Sequence, residues 1–220
     1  MREWLRDHGL LITNLLLFGI FFIGMVLSGV RVYNSEQLEH GEKAVSLGGY
    51  LLSGDFYEAT FENWESEFLQ MAMYVVLTAL LFQRGSSESK PVDEPAPQDQ
   101  DPRKAADRPD APWPVRRGGW VLMAFQHSLS ALFFVLFFTS IAAHAISSAR
   151  AYSEEQLAHG GVSVSTLQYL GSSQFWFESF QNWQSEFLAV AVIVSASVYL
   201  RQRGSPESKP VAEPHRETGA

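Results

Sequence analysis

The chain has 220 residues, 46% of them hydrophobic and 13% aromatic, with no cysteine and a formal net charge of −8. Without cysteine there is no disulfide framework and no thiolate metal site, and the acidic balance gives no support for nucleic-acid binding. The near-zero mean hydropathy averages long apolar blocks against very polar segments.

The first block, Gly9–Val30, is 22 residues without a charge. That is enough for one crossing, which needs about 20 residues. Arg2 and Arg6 precede it as they would in a signal peptide. The run is long, lacks an A-x-A-type cleavage site and has an internal counterpart, so it reads as a retained first span. That counterpart lies at 121–148, with the uncharged block Leu129–Ile146 at its centre.

A shift of 119 positions aligns residues 33–95 with 152–214 without a gap, and 33 of the 63 pairs are identical. The densest matches are "EQLEHG" with "EQLAHG", "NWESEFL" with "NWQSEFL", and "QRGSSESKPVDEP" with "QRGSPESKPVAEP". The chain therefore reads as two copies of one unit. Within each outer loop, "NSEQ" at 34–37 and "SEEQ" at 153–156 resemble capping boxes and predict short helices, stopped at Gly41 and Gly160. Further helices are expected from about Gly54–Asp55 and Ser172–Ser173, running on as long rods.

The second span of each unit is short in apolar residues. Phe68–Phe82 holds 15 residues and Phe187–Leu200 holds 14. Fifteen residues rise about 22 Å against a hydrocarbon core of roughly 30 Å. Two further turns must come from the NWxSEF motif. This places Trp64 in an interfacial aromatic belt with Phe56, Tyr57 and Phe61, and Glu67 about one turn, roughly 6 Å, inside the membrane.

Basic residues set the expected orientation. The segment 84–117 carries Arg84, Lys90, Arg103, Lys104, Arg108, Arg116 and Arg117, and the tail carries Arg201, Arg203, Lys209 and Arg216. The loops at 31–62 and 150–181 hold Arg31, Lys43 and Arg150. The positive-inside rule then puts both termini and the central segment in the cytoplasm. The expected fold is an all-α membrane protein, four transmembrane helices as two parallel two-helix repeats with short helices in the outer loops. Its expected parts are a first repeat at 1–84, a disordered linker at 85–117, a second repeat at 118–203 and a disordered tail at 204–220.

Candidate functional groups follow from membrane depth. An ionisable residue at the centre of a span costs about 2.5–3.5 kcal/mol on insertion scales and marks function by default. Glu67 and Glu186 qualify, with Asn63 and Asn182 one turn earlier on the same face, and two nearby carboxylates would suit a proton or cation relay. The competing reading keeps each Glu wet near the interface. His40 and His159 match across the repeat, but no i, i+3 or i, i+4 ligand spacing accompanies them, so no metal is assigned and each His reads as decoration of a helix end. His8 and His127 read as interfacial caps and His144 as a buried, hydrogen-bonded residue without a partner in the other copy.

"NWxSEFL" followed by a short span and "QRGSxESKPV", at 63–69 with 83–92 and 182–188 with 202–211, resembles a family of small bacterial membrane proteins known only as a domain of unknown function. The resemblance implies a bacterial inner membrane and four spans, and brings no activity or site. No Walker loop, HExxH or GxSxG occurs. The expectation is thus a non-enzymatic scaffold, sensor or accessory component without a cofactor, embedded in the lipid bilayer and contacting another membrane or cytosolic protein. The alternative is a small transporter or ion-conducting protein using Glu67 and Glu186.

Overall fold

A computed structural model describes residues 2–219, with the backbone alone for Arg2. Arg2's side chain, one of the two basic groups before the first apolar run, therefore lies outside the described residues. In chain order the helices are α1 (Arg2–Glu39), α2 (Leu47–Tyr50), α3 (Gly54–Leu80), α4 (Trp113–Arg117), α5 (Gly119–Gln126), α6 (Ser128–Ala158), α7 (Thr166–Leu170) and α8 (Ser173–Tyr199). Two 3-10 turns, Pro97–Asp99 and Pro102–Ala105, precede α4. No strand occurs among the described residues.

The capping-box reading of 34–37 and 153–156 is corrected. α1 runs unbroken to Glu39 and α6 to Ala158. A formed helix gains one hydrogen bond for each residue it adds, and no Gly or Pro interrupts either segment before the stop. The stops are as expected, at Gly41 (φ 79°) and Gly160 (φ 76°). The short helices of these loops are instead α2 and α7. Ser46 caps the first, and Ser165 with Gln168 forms a full capping box on the second. α3 and α8, each 27 residues, start where expected. The segment 121–148 is divided at His127, which closes α5 before α6 begins.

The chain divides into two compact units, each built from two separate stretches of the sequence. The first comprises 1–61 and 143–175. Its local contacts recur at the 119-residue offset. Asn34 exchanges two hydrogen bonds with the Val45 backbone, at 2.7 and 3.0 Å. Ser153 does the same with Val164, at 3.0 and 3.1 Å. Tyr33 and Tyr50 tilt together at 5.7 Å, Tyr152 and Tyr169 at 5.5 Å, both with rings inclined 47°. Phe56 and Phe175 then pack edge-on against Tyr50 and Tyr169. Gly54 allows close approach, since a Cβ there would lie 2.9 Å from the Ala151 nitrogen.

The second unit comprises 62–142 and 176–220. Segments 85–117 and 204–219 carry turns, the two 3-10 turns and α4. Polar side chains in these segments satisfy the chain around them. Ser89 accepts from the Gln83 N–H at 3.0 Å and Ser208 from the Gln202 N–H at 2.9 Å. Lys90 donates to the Ala79 carbonyl at 2.9 Å, near the end of α3. Buried Lys209 donates to the carbonyls of Pro214, His215 and Glu217. A small apolar cluster of Ala111, Val115 and Leu122 joins α4 to α5.

Two helices are long and apolar enough to cross a membrane, α1 over Glu3–Glu39 and α6 over Ser128–Ala158. Along α1 the apolar side chains face outward, including Leu10 (81% exposed) and Phe21 (69%). So large an apolar face needs lipid or protein around it. α3 and α8 have the length to cross, about 40 Å at 1.5 Å per residue, but carry more polar side chains.

Candidate functional site: a polar seam between α3 and α8

The second unit holds a line of polar contacts between α3 and α8. Glu62 and Glu65 lie three residues apart on one face of α3, and Gln70 follows five residues further along the helix. Glu65 is fully buried, at 0% exposure. Its Oε1 accepts from the Ser179 hydroxyl at 2.9 Å and from the Trp183 indole N–H at 3.2 Å. One helical turn away, the Asn182 amide donates to Glu62 Oε1 at 2.6 Å. Further along, the Gln70 amide donates to the Glu186 carbonyl at 3.1 Å. Trp183 is also held by Phe137, Trp176 and Phe180 in edge-on contacts, which fixes the indole that reaches Glu65.

The four residues singled out from the sequence divide. Asn182 belongs to the seam and Glu186 contributes its carbonyl, while Asn63 and Glu67 are exposed. Glu67 follows Glu65 by two residues, so it points roughly 200° around the helix from the buried carboxylate. The residues that line the seam were missed because they differ between the copies. Glu62 and Glu65 correspond to Gln181 and Gln184. A search for matched acids discards those positions. The usable signal was the reverse one, a charge present in one copy and neutral in the other.

In the first unit, His40 and His159 come together, with ring centroids 5.1 Å apart and planes inclined 80°. Acidic residues surround the ends of α1 and α6. Desolvation raises the Asp55 carboxyl above its ordinary value, with Glu154 and Glu155 adding to the effect against the opposing pull of its own backbone N–H and Arg150. Glu36 is raised as well, by desolvation first and then by Asp55 and Glu39. Among the described residues, no group of three or more His, Cys, Asp or Glu is arranged to hold a metal ion. His144 packs against Phe175 at 5.0 Å and is fully buried.

A cleft of about 790 Å³ in the second unit is walled by Tyr74 and Thr78 of α3 and by the segments that follow α3 and α8. Glu88 and Lys90 come from the first "ESKP" copy, and Pro210 from the second. Tyr74 donates to Glu88, and Lys90 is paired with Asp99 at 2.7 Å. The volume falls within the range of small-molecule and peptide side-chain sites, roughly 300–1,000 Å³.

The chain belongs to the family described as Domain of unknown function (DUF6766), whose model matches residues 1–220. No curated protein and no solved structure matches the chain.

Proposed function

We propose that the chain is a four-span inner-membrane protein of two parallel two-span repeats, both termini cytoplasmic, with α2 and α7 forming an outer cap. It works without catalysis, as a scaffold, sensor or accessory component that binds a membrane or cytosolic protein. The observation that carries this reading is the 790 Å³ cleft between α3, the first ESKP segment and the C-terminal tail from Pro210. It gives the repeated motif a role: Ser89 and Lys90 fold the chain back on the end of α3, and Ser208 and Lys209 gather the chain after α8, building a recess on the cytoplasmic face. The seam supports the same reading, because the donors of Ser179 and Trp183 are matched to a buried acceptor in a helix-pairing arrangement.

The alternative is an ion- or proton-conducting protein using Glu67 and Glu186. The buried carboxylate of Glu65 favours it, since buried acids in a membrane helix mark transport paths. Proton and cation flux in proteoliposomes tests the two. The proposal expects no flux above empty liposomes. Flux in the wild type that is abolished in Glu67→Gln/Glu186→Gln contradicts it.

A further inference from the structure

Basic charge is concentrated in one short stretch of an acidic chain. Residues 103–117 hold five basic and two acidic side chains, although the net charge of the whole is −8. Arg108 is taken up by Asp110 at 2.7 Å. Arg103, Lys104, Arg116 and Arg117 are exposed and, among the described residues, no carboxylate pairs with them.

Local packing sets these cations beside two tryptophans. Val115 of α4 and Leu122 of α5 turn inward and pack with Ala111. Arg116 and Arg117 follow Trp113 by three and four residues, so the three share a face of α4. Val115, two residues from Trp113, points away from that face. Trp120 stands two residues before Leu122 and turns away from the cluster in the same manner. Trp113 and Trp120 are accordingly 61% and 76% exposed. Trp120 also directly precedes the apolar stretch 121–148, and α6 within it is long and apolar enough to cross a membrane.

We propose that α4, the start of α5 and the 3-10 turn at Pro102–Ala105 form a docking surface for the headgroups of anionic phospholipids, which rests on the membrane-spanning reading above. Tryptophan rings belong at headgroup level, and the guanidinium fork takes phosphate oxygens in pairs. Charge complementarity selects the lipid: each basic side chain near an anionic leaflet favours contact by about fivefold. The remainder of the chain is more acidic still and is repelled by the same leaflet, so this segment sets which lipid the protein keeps.

Hydrogen exchange of the full chain tests the surface, in nanodiscs of phosphatidylcholine alone and of phosphatidylcholine with phosphatidylglycerol in equal amounts. The amides of 113–120 should exchange at least about fivefold more slowly in the anionic discs. Raising salt from 0.1 to 1 M shortens the screening length from about 10 to about 3 Å and should remove most of the slowing without any variant. Arg116→Gln/Arg117→Gln should remove it as well, while Arg203→Gln/Arg216→Gln takes the same charge from the tail and leaves it. Exchange that is equally fast in both discs, or slowing untouched by salt or by Arg116→Gln/Arg117→Gln, overturns the proposal. Equally slow exchange in both discs overturns it in favour of a second copy of the chain. Slowing by inorganic phosphate in phosphatidylcholine discs overturns it in favour of free phosphate. Carbonate washing of phosphatidylcholine vesicles separates the two readings. A chain stripped off by the wash sinks both, and a chain that resists it but ignores phosphatidylglycerol sinks the lipid surface alone.

Discussion

The Ser179 hydroxyl donates to Glu65 Oε1 at 2.9 Å, joining two helices through a carboxylate that has no exposure at all. The Trp183 indole donates to the same oxygen. Removing the acceptor strands both donors, at about 1–3 kcal/mol for each unsatisfied buried group. Glu65→Ala is therefore expected to lower the thermal midpoint in detergent clearly. Glu65→Gln keeps a side-chain oxygen and loses markedly less. Equal losses in the two variants would show that the hydrogen bonds do not hold the seam.

Gly54 supplies the second prediction. A Cβ at this position meets backbone atoms, the Ala151 nitrogen at 2.9 Å and the Ser147 oxygen at 3.1 Å. Backbone does not move aside as a flexible side chain does, so Gly54→Ala should destabilise by about 1–3 kcal/mol, the usual cost of overpacking. Gly19→Ala is the control. Nothing lies within 4 Å of its new Cβ, and a helical Gly→Ala change stabilises by roughly 0.5–1 kcal/mol. Thermal melts of the pair should move in opposite directions.

The clasp after each long helix predicts which substitutions are tolerated. Asn34 in one copy and Ser153 in the other both donate to and accept from a single valine backbone. Asn34→Ser should keep the clasp in shortened form. Asn34→Ala removes both bonds, worth about 0.5–1.5 kcal/mol apiece. Hydrogen exchange at the Val45 amide reads the difference directly. It should accelerate strongly in Asn34→Ala and less in Asn34→Ser.

The acidic cluster around Asp55 and Glu36 gives a pH dependence with a definite sign. Asp55 and Glu36 have carboxyl pKa values raised above 3.8 and 4.5, chiefly by desolvation. The folded form then holds protons that the unfolded chain has released, so stability falls as pH rises from about 4 through the raised values. Mild acidification from neutral pH is expected to raise the melting temperature of the first unit. Asp55→Asn should raise it at pH 7 and flatten the profile. A profile unchanged by Asp55→Asn would contradict this account.

Much of the helical layout was legible. Apolar length marked α1 and α6, and the glycines at 41 and 160 marked their ends. The starts of α3 and α8 were read near Gly54–Asp55 and Ser172–Ser173, and the helices begin at Gly54 and Ser173. The clasps were not legible, because "NSEQ" and "SEEQ" are equally good helix interiors when a long helix is already formed upstream. Nor were the hydrogen bonds of the tail, where Lys209 gathers three carbonyls. The seam escaped for a different reason. Repetition drew attention to Glu67 and Glu186, whereas the buried acid, Glu65, is the one its partner copy replaces with Gln184.

The central claim is that α3 and α8 cross the membrane along with α1 and α6. The absence of cysteine permits a clean test with single cysteines at four exposed positions, Glu42→Cys, Gln100→Cys, Ser163→Cys and Ala212→Cys. A membrane-impermeant maleimide is applied to intact cells and again after lysis. Four spans predict labelling of positions 42 and 163 in intact cells, with 100 and 212 labelled only after lysis. Labelling of 42 and 100 from the same side, with 163 and 212 on the other, would leave only α1 and α6 as spans and contradict the account.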